Sequence, residues 1–179
     1  MKTLVIHPKD DSTDFLSVIY AEKGWTIITD PTTSKKIIKE QIKAHDRIIM
    51  LGHGTELGLV AITKRENNWD YAYRFIIDSA LVYLLREKDC VCIWCNADQF
   101  VEKYKIKGFY SGMIISEVDE AYLYGIRPSD KDLTQSNTLF AESIKLSIES
   151  ENILSEIKAA YDSTTNPVIL FNKQNIYHS

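Results

Sequence analysis

The first 51 residues alternate between short apolar runs and amphipathic segments, and this alternation constrains the fold more than any other feature. Three runs of β-forming residues, at 3–7, 25–29 and 47–51, are separated by two segments with helical spacing or helix-capping residues. Such an order builds right-handed βαβ units, with helices on both faces of a parallel sheet. We therefore expect an α/β fold, specifically a three-layer αβα sandwich around a mostly parallel six-stranded sheet.

The rest of the chain continues the alternation and predicts a single domain spanning residues 1–179. No repeat, low-complexity tract or long linker interrupts it. Residues 55–62 are too short and too glycine-broken for a helix, so a small hairpin or loop is expected there. The further predicted helices span 67–88, 99–105, 129–149 and 152–161, and the further predicted strands span 90–94, 109–116 and 167–171.

Composition excludes several classes of function. The chain has 21 basic and 25 acidic residues and a formal net charge of −4, so nucleic acid is a poor candidate partner. No stretch approaches the roughly 18 apolar residues of a membrane span, so we expect no membrane partner. Cys90, Cys92 and Cys95 lie too close together for a disulfide framework across the fold. Reduced thiols of this kind are typical of a cytoplasmic protein.

Two of the predicted strands end in a reactive residue. The run at 47–51 leads through Gly52 to His53 and Gly54, and the run at 91–94 leads directly to Cys95. Chemistry in open parallel sheets gathers just beyond the carboxyl ends of the strands, so both side chains are expected at the same sheet edge. A Cys/His pair is the minimum requirement for nucleophilic catalysis by a thiolate.

A hydrophobic block ending in His-Gly, then a predicted helix, then a second block ending in Cys, resembles the pattern of the caspase-like cysteine peptidases. This group includes caspases, gingipains, clostripain, separase and CHAT domains, and the likeness is strongest over residues 47–125. The stretch at 108–121 is most similar to CHAT domains, in which a strand runs into a Val-Asp-Asp/Glu-Ala segment. Ile93-Trp94-Cys95-Asn96-Ala97 departs from the Gln-Ala-Cys-Arg-Gly of caspases, so their preference for Asp is not implied. No linker for activation by cleavage is present, and an uncut chain is expected to act.

The resemblance implies a mechanism and a peptide or protein substrate. Cys95 would attack the peptide carbonyl and His53 would protonate the leaving amine, without a metal or other cofactor. The backbone N–H groups of Gly54 and Cys95 would form the oxyanion hole. A nearby imidazolium and a helix beginning near Asn96 would lower the pKa of the thiol. Four acidic residues would select a basic side chain in the substrate, namely Asp98, Glu117, Asp119 and Glu120.

Structural interpretations of the same residues remain open. Cys90 and Cys92 are expected to pack in the core, and a zinc site made with Cys95 is disfavoured by strand geometry. His53 and His7 could each serve only to hydrogen-bond at the sheet edge, and the acidic residues could form a solvated patch. The alternative function is a catalytically inactive caspase-like or Rossmann-like module that binds a ligand or a protein partner. An aromatic helix at residues 69–75 is one possible interaction surface.

Overall fold

The computed structural model describes residues 1–64 and 71–179 and shows the expected α/β architecture. Six strands form a sheet in the order β2-β1-β3-β7-β8-β9, in which only the β8–β9 pair is antiparallel. A smaller antiparallel sheet has the order β4-β5-β6. The strands are β1 (Thr3–Ile6), β2 (Thr26–Ile28), β3 (Arg47–Leu51), β4 (His53–Thr55), β5 (Gly58–Lys64), β6 (Tyr71–Ile77), β7 (Asp89–Ile93), β8 (Gly108–Ser111) and β9 (Ile176–His178).

Helices cover both faces of the large sheet, as a three-layer sandwich requires. Short 3₁₀ helices span Asp14–Tyr20 and Ser79–Leu81. The α-helices are α1 (Lys35–Ala44), α2 (Val82–Leu85), α3 (Ala97–Tyr104), α4 (Val118–Leu123), α5 (Asp130–Ser147), α6 (Ile153–Ala160) and α7 (Pro167–Gln174).

The core is divided into two layers by the alternation of side chains along the central strands. On β7, Cys90 and Cys92 face the layer that contains helices α1, α2 and α3. Val91 and Ile93 face the opposite layer, which contains the first 3₁₀ helix, α5 and α6. These strands are buried on both faces, which explains why they are almost continuously apolar in sequence.

The predicted helix at 67–88 is wrong over residues 71–77, and its residues 67–70 lie outside the described part of the chain. Residues 71–77 form β6, an antiparallel partner of β5, and helical structure begins only at Ser79. Aromatic and β-branched residues such as Tyr73, Phe75 and Ile77 favour a strand once a neighbouring strand is available to pair with. The proposed aromatic helix at 69–75 is wrong for the same reason over residues 71–75, and its first two residues lie outside the described part of the chain.

The predicted strand at 167–171 is also wrong, because these residues belong to α7. The Asn166 side chain caps the helix by accepting hydrogen bonds from the N–H groups of Val168 and Ile169, and Pro167 occupies the first turn. The sixth strand is instead β9, which adds antiparallel to β8. The strand predicted at 109–116 is shorter than expected and ends at Ser111.

Candidate active site

His53 begins the small sheet immediately after the central strand β3 ends. Gly52 joins the two strands with a φ of 134°, a backbone conformation that favours glycine. His53 then pairs with Val60 in the antiparallel β4–β5 hairpin. The hairpin therefore fixes the imidazole at the carboxyl end of the parallel sheet, which is the position predicted from the sequence.

The loop after β1 holds the His53 ring through one nitrogen. Nε2 lies 2.7 Å from Oγ of Ser12 and 3.0 Å from Oδ2 of Asp10. The Ser12 hydroxyl donates to Oδ1 of Asp10 at 2.8 Å, so it accepts from His53. Nε2 therefore carries the proton in the neutral ring, and the lone pair is on Nδ1.

The charged forms of His53 and Asp10 stabilise one another. The hydrogen bond to Asp10 raises the pKa of His53 although burial lowers it, and Glu120 and Glu117 add to the increase. Burial alone would raise the pKa of Asp10, but hydrogen bonds from His53 and Ser12 hold it well below its usual range. The imidazolium form of His53 therefore persists to higher pH than in an ordinary histidine.

These contacts do not form a Ser/His/Asp catalytic triad. In such a triad the serine and the aspartate engage opposite nitrogens of the imidazole ring. Here Ser12 and Asp10 share Nε2. Nδ1 of His53 has no hydrogen-bond partner among the described residues.

Cys95 lines a narrow cavity that His53 also lines. It follows β7 by two residues and is partly exposed. The cavity has a volume of about 30 Å³, room for one or two water molecules. The predicted convergence of Cys95 and His53 on one sheet edge is thus found in the structure. Other lining residues are Thr13, Gly52, Trp94, Ile114, Ser116, Glu120 and Phe140.

The electrostatic environment of Cys95 differs from the expected one. Burial and, to a smaller extent, the nearby Glu120 carboxylate together raise the pKa of the Cys95 thiol to about 11. Helix α3 begins at Ala97 after Asn96, whose φ is 64°, and the pKa of the nearby thiol is raised, not lowered as expected. The resting site therefore contains a neutral thiol.

Cys90 and Cys92 occupy core positions, as expected. Both are buried in β7, and burial raises the pKa of Cys90 to about 12 and that of Cys92 well above its ordinary value. Of the three thiols, Cys95 is the most exposed and the least strongly perturbed. Among the described residues, no group of three or more Cys, His, Asp or Glu side chains is arranged to hold a metal ion.

Gly54 is required by packing. A Cβ atom at this position would lie 2.1 Å from Cδ1 of Trp94 and 2.7 Å from the carbonyl oxygen of Gly58. The Trp94 indole fits beneath the hairpin and donates a hydrogen bond from Nε1 to the carbonyl of Thr55 at 3.0 Å. This contact places the residue before the thiol against the strand that carries His53. The oxyanion-hole role of Gly54 and Cys95 stays a prediction.

Only one of the four predicted acidic residues lines the cavity. Glu120 lies in the first turn of α4, and its Oε2 accepts hydrogen bonds from the N–H groups of Ser116 at 2.8 Å and Glu117 at 3.1 Å. This capping arrangement turns the carboxylate back towards the sheet edge. Glu117 and Asp119 are exposed and do not line the cavity.

Asp98 faces away from the cavity although it follows Cys95 by only three residues. Burial is the main cause that raises the pKa values of the Tyr110 and Tyr177 hydroxyls, and the Asp98 carboxylate adds to the increase. Its Oδ1 atom is buried without a hydrogen-bond partner among the described residues. The structure therefore separates Asp98 from the Cys95 and His53 pair.

Sequence reasoning missed Asp10 and Ser12. Both lie in the loop that follows β1, and β1 is the direct neighbour of β3 in the sheet. The rule that placed His53 and Cys95 at the carboxyl edge applies equally to this loop. The acidic and hydroxyl residues at 10–13 could therefore have been predicted to lie near His53.

Comparison with known proteins gives no family assignment. No protein-family model matches the chain, and no curated protein matches it. No helix within residues 1–64 and 71–179 is both long and apolar enough to cross a membrane.

Proposed function

We propose that the chain is a caspase-like cysteine peptidase in which Cys95 is the nucleophile and His53 the acid and base. The observation that carries the proposal is that His53 and Cys95 both line one cavity at the carboxyl edge of a parallel sheet. The ring nitrogen of His53 that Asp10 and Ser12 do not occupy supports the same assignment.

The proposed reaction starts from neutral His53. Nδ1 takes the proton of the Cys95 thiol while Sγ attacks the peptide carbonyl, and the imidazolium then gives this proton to the leaving amine. Water hydrolyses the resulting thioester with His53 again as base. Asp10 stabilises the imidazolium formed between the two proton transfers, as a carboxylate on the remote ring nitrogen does in other hydrolases.

The proposed substrate carries Arg or Lys before the scissile bond. Glu120 lines the cavity beside Cys95, and its charge helps to keep the thiol protonated. A cationic side chain that binds next to Glu120 offsets this charge, so it both satisfies the carboxylate and favours ionisation of the thiol. An acidic substrate side chain would have the opposite effect.

A panel of fluorogenic peptides tests the proposal directly. The purified full chain is incubated with peptides that carry Arg, Lys, Asp or Leu before the scissile bond. We expect cleavage after Arg or Lys, and we expect Cys95→Ser and His53→Gln to abolish it, while Cys92→Ser, in the strand that leads to Cys95, serves as the matched control. Preferential cleavage after Asp would contradict the assignment of Glu120.

The second candidate function is a binding module without catalysis. The raised pKa of Cys95 favours it, because a thiol that stays protonated at neutral pH is a weak nucleophile. Failure of every peptide in the panel to react would favour this alternative over the peptidase.

A further inference from the structure

A buried chain of hydrogen bonds leads from the protein interior to Asp10. His7 follows β1 and is completely buried. Its Nδ1 lies 3.0 Å from Oη of Tyr20, and its Nε2 lies 3.3 Å from Oγ1 of Thr13. Oγ1 of Thr13 in turn lies 3.3 Å from Oδ1 of Asp10, whose other oxygen faces His53.

The number of protons available determines the donor-to-acceptor direction along this series of hydrogen bonds. Burial, with Lys9 nearby, lowers the pKa of His7 to about 4, so its ring is neutral at physiological pH and carries one N–H group. If the single hydroxyl proton of Thr13 goes to Asp10, then His7 must donate to Thr13 from Nε2. Nδ1 of His7 then accepts from the Tyr20 hydroxyl, and every donor points towards the Asp10 carboxylate.

The contact between His7 and Thr13 links the Asp10 loop to the core. The other donors to Oδ1 of Asp10 lie within the same loop: the Ser12 hydroxyl at 2.8 Å and the backbone N–H groups of Ser12 at 3.0 Å and Thr13 at 3.1 Å. The nearby Lys9–Asp14 ion pair is exposed, and such pairs contribute little. Without His7, the loop would be held on this side mainly by hydrogen bonds within its own turn.

We propose that His7 is a positioning residue of the candidate active site, which holds the Asp10 carboxylate against His53 through Thr13. Its catalytic meaning rests on the proposed function, whereas the positioning itself is measurable in the resting protein. The charged and titratable groups that act on His53 are Asp10, Glu117 and Glu120, and those that act on His7 are Lys9, Asp10 and Asp14.

The test is an NMR titration of His53 in variants that cut the chain at different points. The four histidines are assigned by single substitutions, with His53→Gln identifying the relevant signal. Thr13→Val removes the hydroxyl at nearly constant volume, and we expect the pKa of His53 to fall by about 0.5 or more as Asp10 loosens. Thr13→Ser keeps a hydroxyl and should restore the wild-type value.

A double-mutant comparison shows whether His7 acts through Thr13. His7→Asn can still meet Tyr20 but is too short to reach Thr13, so it should also lower the pKa of His53. The double variant with Thr13→Val should lower it no further, because both substitutions remove the same connection. An additive decrease in the pKa of His53 would contradict the proposed route. An unchanged pKa of His53 in Thr13→Val would contradict it too, and this variant is expected to fold even if His7→Asn does not fold.

His45 offers a matched control for general loss of stability. It is also a buried histidine with two hydrogen bonds, to the carbonyl of Gln41 at 2.7 Å and Oγ1 of Thr26 at 2.9 Å, but it lies at the opposite end of β3. His45→Asn should lower the melting temperature without changing the pKa of His53. An equal change in the pKa of His53 would show that the effect of His7 is only structural.

Peptide turnover separates this inference from the proposed function. If the pKa of His53 moves as expected but no peptide is cleaved, the positioning role stands and the peptidase assignment fails. If peptides are cleaved and Thr13→Val leaves both the pKa of His53 and the pH profile of kcat unchanged, the positioning role fails alone.

Discussion

Nε2 of His53 lies 3.0 Å from Oδ2 of Asp10, and this contact determines the charge of the candidate active site. The carboxylate raises the pKa of the imidazole, while burial and Glu120 keep the Cys95 thiol neutral. Asp10 thus favours the charged form of His53, while the Cys95 thiol stays protonated. A substrate that changes the charge beside Glu120 would shift the ionisation of Cys95 and His53.

Removal of the Asp10 charge should lower the pKa of His53. In Asp10→Asn the side chain keeps its size but no longer stabilises the imidazolium, so the His53 signal should titrate at lower pH by NMR. A raised folded-state pKa stabilises the protein below the unfolded value of about 6.5. This contribution is lost as pH rises through the folded-state pKa. Asp10→Asn should therefore destabilise the protein more at pH 6 than at pH 9.

Asp11→Asn is the matched control, since Asp11 is the exposed neighbour in the same loop. It should leave the titration of His53 unchanged. A His53 signal that is insensitive to Asp10→Asn would show that the contact has no electrostatic effect in solution.

His7 should make the protein sensitive to acid. Its pKa is about 4 in the folded protein and 6.5 as the ordinary value, so the unfolded chain binds more protons between these pH values. The free energy of unfolding should therefore fall by about 3 kcal/mol from pH 7 to pH 4 through this group. Urea unfolding at several pH values measures it, and His7→Asn should reduce the slope. An unchanged slope would contradict burial of a neutral His7.

The three thiols should react in a defined order. Cys95 should be labelled by iodoacetamide before Cys90 and Cys92, because it is partly exposed and its pKa of about 11 is the least raised. Its labelling rate should rise about tenfold for each pH unit from 7 to 10, following the thiolate fraction. Peptide mapping measures both effects. A rate that is already constant at pH 7 would indicate an ion pair with His53 instead.

Neutralising Glu120 should make Cys95 more reactive. Glu120→Gln keeps an acceptor for the capping box but removes the charge that raises the pKa of Cys95. The labelling rate at pH 8 should therefore increase, while the preference for Arg or Lys in peptide substrates should weaken. Asp119→Asn, an exposed change in the same helix, should alter neither property. Slower labelling in Glu120→Gln would contradict the proposed electrostatic role.

Apolar patterning predicted the central sheet because its strands are buried on both faces. The expected runs at 47–51 and 90–94 closely match β3 and β7, and their ends correctly indicated the shared edge of His53 and Cys95. The helix prediction at 67–88 was wrong over residues 71–77 because the apolar pattern there does not distinguish a helix from a strand. The aromatic residues of this segment fit helical spacing and strand alternation alike, and pairing with β5 over residues 71–77 decides between them.

Individual side-chain directions could not be predicted in the same way. Glu117, Asp119 and Glu120 are close in sequence, yet only the capping box of α4 determines that Glu120 reaches the cavity. Asp98 is directed elsewhere by the first turn of α3. The raised pKa of Cys95 depends on burial, which a sequence motif does not reveal.

The most direct test of the central claim uses a peptide ketone inhibitor with arginine next to its electrophilic carbon. If Cys95 is a nucleophile that acts with His53, mass spectrometry should locate one covalent adduct on Cys95. The rate of its formation should fall strongly in His53→Gln and remain unchanged in His45→Asn. An adduct on another residue, or equally rapid labelling of Cys95 without His53, would contradict the Cys/His assignment.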